Sequence, residues 1–60
     1  MNHYVVVYHD GSIAVKFNRP PQELIQLGAR VFEVGPNTSV GYLSWWMEAG
    51  YPIVKDIKEL

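Results

Sequence analysis

The side chains of this 60-residue chain that could do chemistry are few and are spread along the sequence. There are two histidines, His3 and His9, and no cysteine. Six residues of extended strand span about 20 Å, so the two imidazoles cannot bind one metal ion within one chain. His9 and Asp10 are sequence neighbours, and neighbouring strand side chains point to opposite faces, so they form no acid–base pair. We expect both histidines to be exposed and Asp10 to accept a hydrogen bond in a turn.

The hydroxyl groups and the glycines form no catalytic pattern either. Ser12, Ser39 and Ser44 have no candidate base beside them, which argues against a nucleophilic triad. The turn at 35–37 precedes a helix but lacks the glycine spacing of a phosphate-binding loop. We therefore expect a protein that is not an enzyme, with no catalytic residue, no metal site and no cofactor.

Length and composition indicate one small domain, residues 1–60, that gains from contact with another chain. A domain of this size buries only about 60% of its unfolded surface, so its stability is marginal without a disulfide, a metal or a partner. The absence of cysteine removes the disulfide. A content of 48% hydrophobic and 13% aromatic residues is high for such a chain and favours a protein partner or self-association.

Charge and hydropathy exclude other classes of partner and of location. A net charge of −1 argues against nucleic-acid binding through phosphate neutralisation. The longest apolar run, Tyr4 to Tyr8, is far too short to span a membrane. The N-terminus has no signal-peptide pattern, so we expect a cytoplasmic protein.

A β-hairpin is predicted at the N-terminus. Two runs of β-branched and aromatic residues flank Asp10-Gly11, the strongest short-range hairpin signal. Pairing symmetric about this dipeptide sets Tyr8 opposite Ile13, whereas a three-residue loop with a bulge would change the register. In the symmetric register the core face carries Tyr4, Val6, Tyr8, Ile13, Val15 and Phe17. The opposite face then exposes an apolar island, the candidate oligomer face, which consists of Val5, Val7 and Ala14.

The remainder of the chain predicts an α+β fold. A helix of about two turns is capped by Asn18 or Arg19, has Pro20 and Pro21 in its first turn and ends at Gly28. Residues 30–34 form a third strand, giving an antiparallel sheet in the order 2-1-3. A second helix extends from about Val40 to Ala49, capped by a polar residue at 37–39 and closed by Gly50. The tail predicts either a short strand at 51–54 or a short terminal helix. The helix would explain why apolar residues recur every three positions, at Val54, Ile57 and Leu60.

The second helix is apolar around too much of its circumference. At 100° per residue the apolar side chains cover roughly 220°, whereas a helix packed on one sheet needs little more than 100°. In a small domain both tryptophans can belong to the core; alternatively at least one of them, with Trp45 favoured, lies in an interface. Tryptophan and tyrosine are enriched at binding hot spots. The candidate protein-binding residues are Tyr42, Trp45, Trp46, Ala49 and Tyr51.

These observations favour a small non-enzymatic protein-binding module, such as a regulator, an inhibitor or an accessory subunit. The alternative is a self-assembling structural protein that buries the island or one flank of the helix. A third hypothesis, with less support, is single-stranded nucleic-acid binding on a platform of sheet aromatics (Tyr4, Tyr8 and Phe17).

Overall fold

Four strands and two helices make up the computed structural model, which describes residues 2–60. The elements in chain order are β1 (His3–Val7), β2 (Ile13–Lys16), α1 (Glu23–Gln26), β3 (Arg30–Val34), α2 (Val40–Glu48) and β4 (Ile57–Glu59). All neighbouring strands pair antiparallel, in the order β2-β1-β3-β4. The predicted α+β class and the order 2-1-3 are confirmed, and the tail adds a fourth strand, later in the sequence than the 51–54 segment.

The hairpin register differs from the symmetric one by one residue. Val7 pairs with Ile13, and Val5 with Val15, because the loop contains three residues. Gly11 has a φ of 90°, which suits the bulge that follows a tight turn. Asp10 accepts hydrogen bonds from the Ser12 backbone N–H (2.9 Å) and hydroxyl (2.6 Å), which confirms its turn role and lowers the pKa of its carboxyl.

This one-residue shift overturns the predicted core face, since it moves every β2 side chain to the other side of the sheet. The front face of the sheet carries His3, Val5 and Val7 of β1 beside Ile13 and Val15 of β2. The back face carries Tyr4 and Val6 beside Ala14 and Lys16. The predicted island is therefore wrong, because Ala14 lies on the opposite face from Val5 and Val7.

Both faces of the central strands are buried. On the front face, Val5, Phe32, Val34 and Ile57 form a cluster with Trp46 of α2. On the back face, Val6, Ala29 and Val31 form a second cluster, against which Leu24 of α1 packs. A strand covered on both sides needs a continuous apolar run rather than an alternating one, and this explains the unbroken valines at 5–7.

Both helices are followed by a glycine with a positive φ, and α2 also has a side-chain cap at its start. α1 is a single turn at Glu23–Gln26, shorter than predicted, and Gly28 follows it with a φ of 94°. α2 is capped by Ser39, whose hydroxyl accepts a hydrogen bond from the Tyr42 N–H (3.1 Å). It ends at Gly50, with a φ of 86°, in the helix-ending arrangement in which the next N–H, of Tyr51, returns to the Trp46 carbonyl.

Candidate protein-binding surface

Helix α2 places its two adjacent tryptophans in opposite environments. Trp46 is completely buried, whereas Trp45 keeps 52% of its surface exposed. Adjacent helix positions are separated by 100°, so only one of the two rings can point at the sheet. Leu43 and Met47, which lie near Trp46 on the helix, pack against the same core cluster. The sheet-facing side of α2 is therefore filled without Trp45.

The prediction of Trp46 as a partner-binding residue is corrected by this burial. Its ring packs edge-on against Phe32 (centroids 4.8 Å apart) and Tyr51 (5.2 Å). Its Nε1–H donates to the Pro52 carbonyl at 2.8 Å. Trp46 thus joins the sheet, the helix and the tail, and a partner cannot reach it without opening the core.

The outer face of α2, defined as Tyr42, Trp45 and Ala49, is open to solvent. The Tyr42 and Trp45 rings lie 5.4 Å apart at an angle of 42°, one turn apart on the helix. Tyr42 is 37% exposed, and Ala49 is also exposed. Two contacting aromatic rings and a small side chain thus form an apolar strip that the other residues of the range 2–60 leave uncovered.

Tyr51 lies apart from this strip, on the front face of the sheet. It is partly buried and stacks on Phe32 with centroids 5.8 Å apart and planes 19° apart. Its φ of 60° is in the left-handed region, which is uncommon for a residue other than glycine. The contacts with Phe32 and Trp46 hold Tyr51 in this conformation.

Beside Tyr51 the front face contains a groove of about 530 Å³, here called the Tyr51 groove, between β3, β4 and the segment 51–55. Arg30 lies along it, with its guanidinium 5.0 Å from the Phe32 ring centroid and 5.6 Å from that of Tyr51. Glu59 accepts two hydrogen bonds from Arg30, each 2.9 Å long. These bonds lower the pKa of Glu59 and neutralise the guanidinium, so the groove has no free charge at its arginine.

The predicted oligomer face is not on the surface, although β2 offers another apolar patch. Val5 is completely buried under α2, and Val7 packs against the same cluster. Three other front-face residues at this edge of the sheet are exposed instead, and we call them the β2 stripe: Ile13 (45% exposed), Val15 (46%) and Phe17 (65%). The sequence pattern marked these residues as apolar, but it could not show that α2 leaves them uncovered.

The three rings proposed as a nucleic-acid platform do not share a face. Tyr4 and Tyr8 belong to the back face, where Tyr4 is buried and Tyr8 packs against the Val6 cluster. Phe17 lies with the front-face residues and meets the His3 ring edge-on at 5.1 Å. This separation removes the stacking surface on which that hypothesis depended.

Within residues 2–60, no three His, Asp or Glu side chains are grouped so that they could hold a metal ion. The helices of the same range are too short or too polar to cross a membrane. Comparison with family models, with curated proteins and with solved structures gives no significant match.

Proposed function

We propose that this protein is a small, non-enzymatic protein-binding module that contacts its partner through the outer face of α2. A regulator, an inhibitor or an accessory subunit would use such a surface. The observation that carries the proposal is the half-exposed Trp45 in contact with Tyr42. Trp46 already fills the core, so the packing of the fold does not require a second indole at position 45.

The chemistry of the outer face suits a protein partner. A tryptophan ring buries a large area while losing little conformational entropy, and tryptophan and tyrosine are over-represented among hot-spot residues. The two rings already contact each other in the free protein. Part of their side-chain conformational entropy is therefore lost on folding rather than on binding. Ala49, one turn beyond Trp45, leaves space for a partner to approach the helix closely.

The partner's expected chemistry follows from the same residues. It should present an apolar pocket wide enough for an indole, bordered by polar groups that tolerate the exposed carboxylate of Glu48. An acidic partner would add to the net negative charge of the complex. A neutral or basic groove is therefore expected.

Trp45→Ala tests the proposal directly. Tagged wild-type protein and variants are used to retain proteins from a lysate of the source organism, and the retained protein is then purified and titrated. We expect Trp45→Ala to weaken binding about 30-fold or more, the loss typical of a hot spot. Far-UV circular dichroism and the melting midpoint should remain close to those of the wild type.

Leu27→Ala is the matched control, since Leu27 is 74% exposed and follows α1, the helix that covers the back face. It should bind the partner as the wild type does. Equal binding by Trp45→Ala and the wild type would contradict the proposal. So would unfolding of Trp45→Ala, because it would show that the ring supports the core.

A further inference from the structure

The two edges of the sheet differ in how they are protected. β4 is three residues long, includes Lys58 and Glu59, and makes a bridge to Val54 of the preceding segment. β2 has one charged residue, Lys16, and its front-face side chains are the exposed β2 stripe. An exposed, apolar edge strand is a template for pairing with another chain.

The outward-facing backbone groups of β2 follow from its pairing with β1. The Tyr8 N–H donates to the Ser12 carbonyl at 2.8 Å, so Tyr8 and Ser12 are a hydrogen-bonded pair. Such pairs alternate along antiparallel strands. Ser12, Ala14 and Lys16 therefore direct their N–H and C=O groups toward β1. Ile13 and Val15 direct theirs toward the open edge, and Phe17, the next position of the same set, lies at the bend that follows β2.

We propose that a second copy of this chain pairs antiparallel with β2, with Val15 opposite Val15 of the other copy. In this register Ile13 of each copy lies opposite Phe17 of the other. The backbone groups of Val15 and Ile13 point outward, so the central Val15 pair is a hydrogen-bonded one, and pairing with the second copy extends the strand through Phe17. The six stripe side chains then lie together on one face, forming a continuous apolar surface across the dimer.

The register is self-complementary in charge, which favours a second copy over an unrelated partner. Lys16 of each copy lies opposite Ala14 of the other, so no like charges are opposed. The stripe adjoins the core cluster, because Val15 is paired with Val5. The two-fold axis is perpendicular to the sheet, so both α2 helices cover the same face of an eight-stranded sheet. The outer face of α2, on which the proposed function depends, takes no part in this pairing.

The pairing is short, which sets its strength. The turn at 9–11 and the prolines at 20 and 21 confine it to about five residues on each strand. An interface of this size lies at the low end of specific contacts, where transient complexes occur. We expect a dissociation constant on the order of 10–100 μM, given the fixed cost of association.

Amide hydrogen exchange on the unmodified protein gives the first test. Raising its concentration from about 20 μM to about 1 mM should slow exchange at Ile13, Val15 and Phe17 roughly five-fold, since only the monomer leaves these amides open. The amides of Ala14 and Lys16, already bonded to β1, should change less. Equal rates at both concentrations for all five amides would overturn the proposal.

Charge variants at the two-fold position give the second test. Val15→Lys and Val15→Glu each oppose two like charges, and each should sediment as a monomer at about 1 mM. An equimolar mixture should recover the dimer, because the two introduced charges then attract. Leu27→Lys, on an exposed back-face loop, should dimerise as the wild type does. A mixture that stays monomeric while both variants keep the wild-type circular dichroism would contradict this register.

Discussion

At the scale of single residues, the adjacent tryptophans show how one helix divides its aromatic content. The apolar sector of α2 is wider than the face that the sheet can cover, which predicts that some aromatic rings stay exposed. The burial of Trp46 beside the half-exposed Trp45 agrees with this prediction. The arc alone could not say which ring was inside. The choice depends on Phe32 and on the return of Tyr51 after α2, and these contacts join residues far apart in sequence.

The two tryptophans should respond differently to the same conservative change. Trp46→Phe removes the hydrogen bond to the Pro52 carbonyl and leaves a void in the core, so we expect it to lower the free energy of unfolding by about 1–3 kcal/mol. Trp45→Phe alters an exposed ring and should stay within about 0.5 kcal/mol of the wild type. Urea denaturation followed by far-UV circular dichroism measures both. Equal losses would show that the two rings share the core.

At the scale of elements, the strands and helices were more predictable than their registers. Asp10-Gly11 predicts a hairpin, and the Ser39 and Gly50 signals bound the second helix. The loop type could not be predicted, because the features that favour three loop residues are seen only in the structure. They are the Asp10–Ser12 hydrogen bonds and the left-handed conformation of Gly11. One residue of slip exchanges the faces of β2, so the exposed stripe was predicted as core.

Two glycines that differ in backbone conformation test this account of the turn. A Cβ added at Gly11 or at Gly41 would meet no atom within 4 Å, so steric crowding affects neither. Gly11 has a φ of 90°, and Gly11→Ala should destabilise the fold by about 1–2 kcal/mol. Gly41 lies in α2, and Gly41→Ala should stabilise it by about 0.5 kcal/mol. Thermal unfolding compares the two variants, and a stabilised Gly11→Ala would contradict the left-handed turn.

At the scale of the whole molecule, burial on both faces of the sheet lets so short a chain hold a core. The helices cover opposite faces, and β1 and β3 between them supply most of the buried residues. Composition predicted an excess of apolar surface but not its location. Part of the exposed apolar surface lies on the outer face of α2 and on the β2 stripe, because one nine-residue helix cannot cover all four strands. Other exposed apolar side chains, such as Leu27, Val40 and Ile53, are on neither surface.

If the β2 edge pairs with a second copy, the stability of the wild type should depend on its own concentration. Mass action stabilises a folded state that associates, by about 0.5–1 kcal/mol at 500 μM protein for a dissociation constant on the order of 10–100 μM. For a domain of this size that corresponds to a rise in the melting midpoint of about 2–8 °C between roughly 5 μM and 500 μM. Differential scanning calorimetry at the two concentrations measures the rise. Val15→Lys should melt at one temperature throughout, because its folded state has no associated form to populate. A rise of the same size in Val15→Lys would show that the chains associate through another surface. A constant melting midpoint in the wild type would show that the β2 edge does not pair with a second copy.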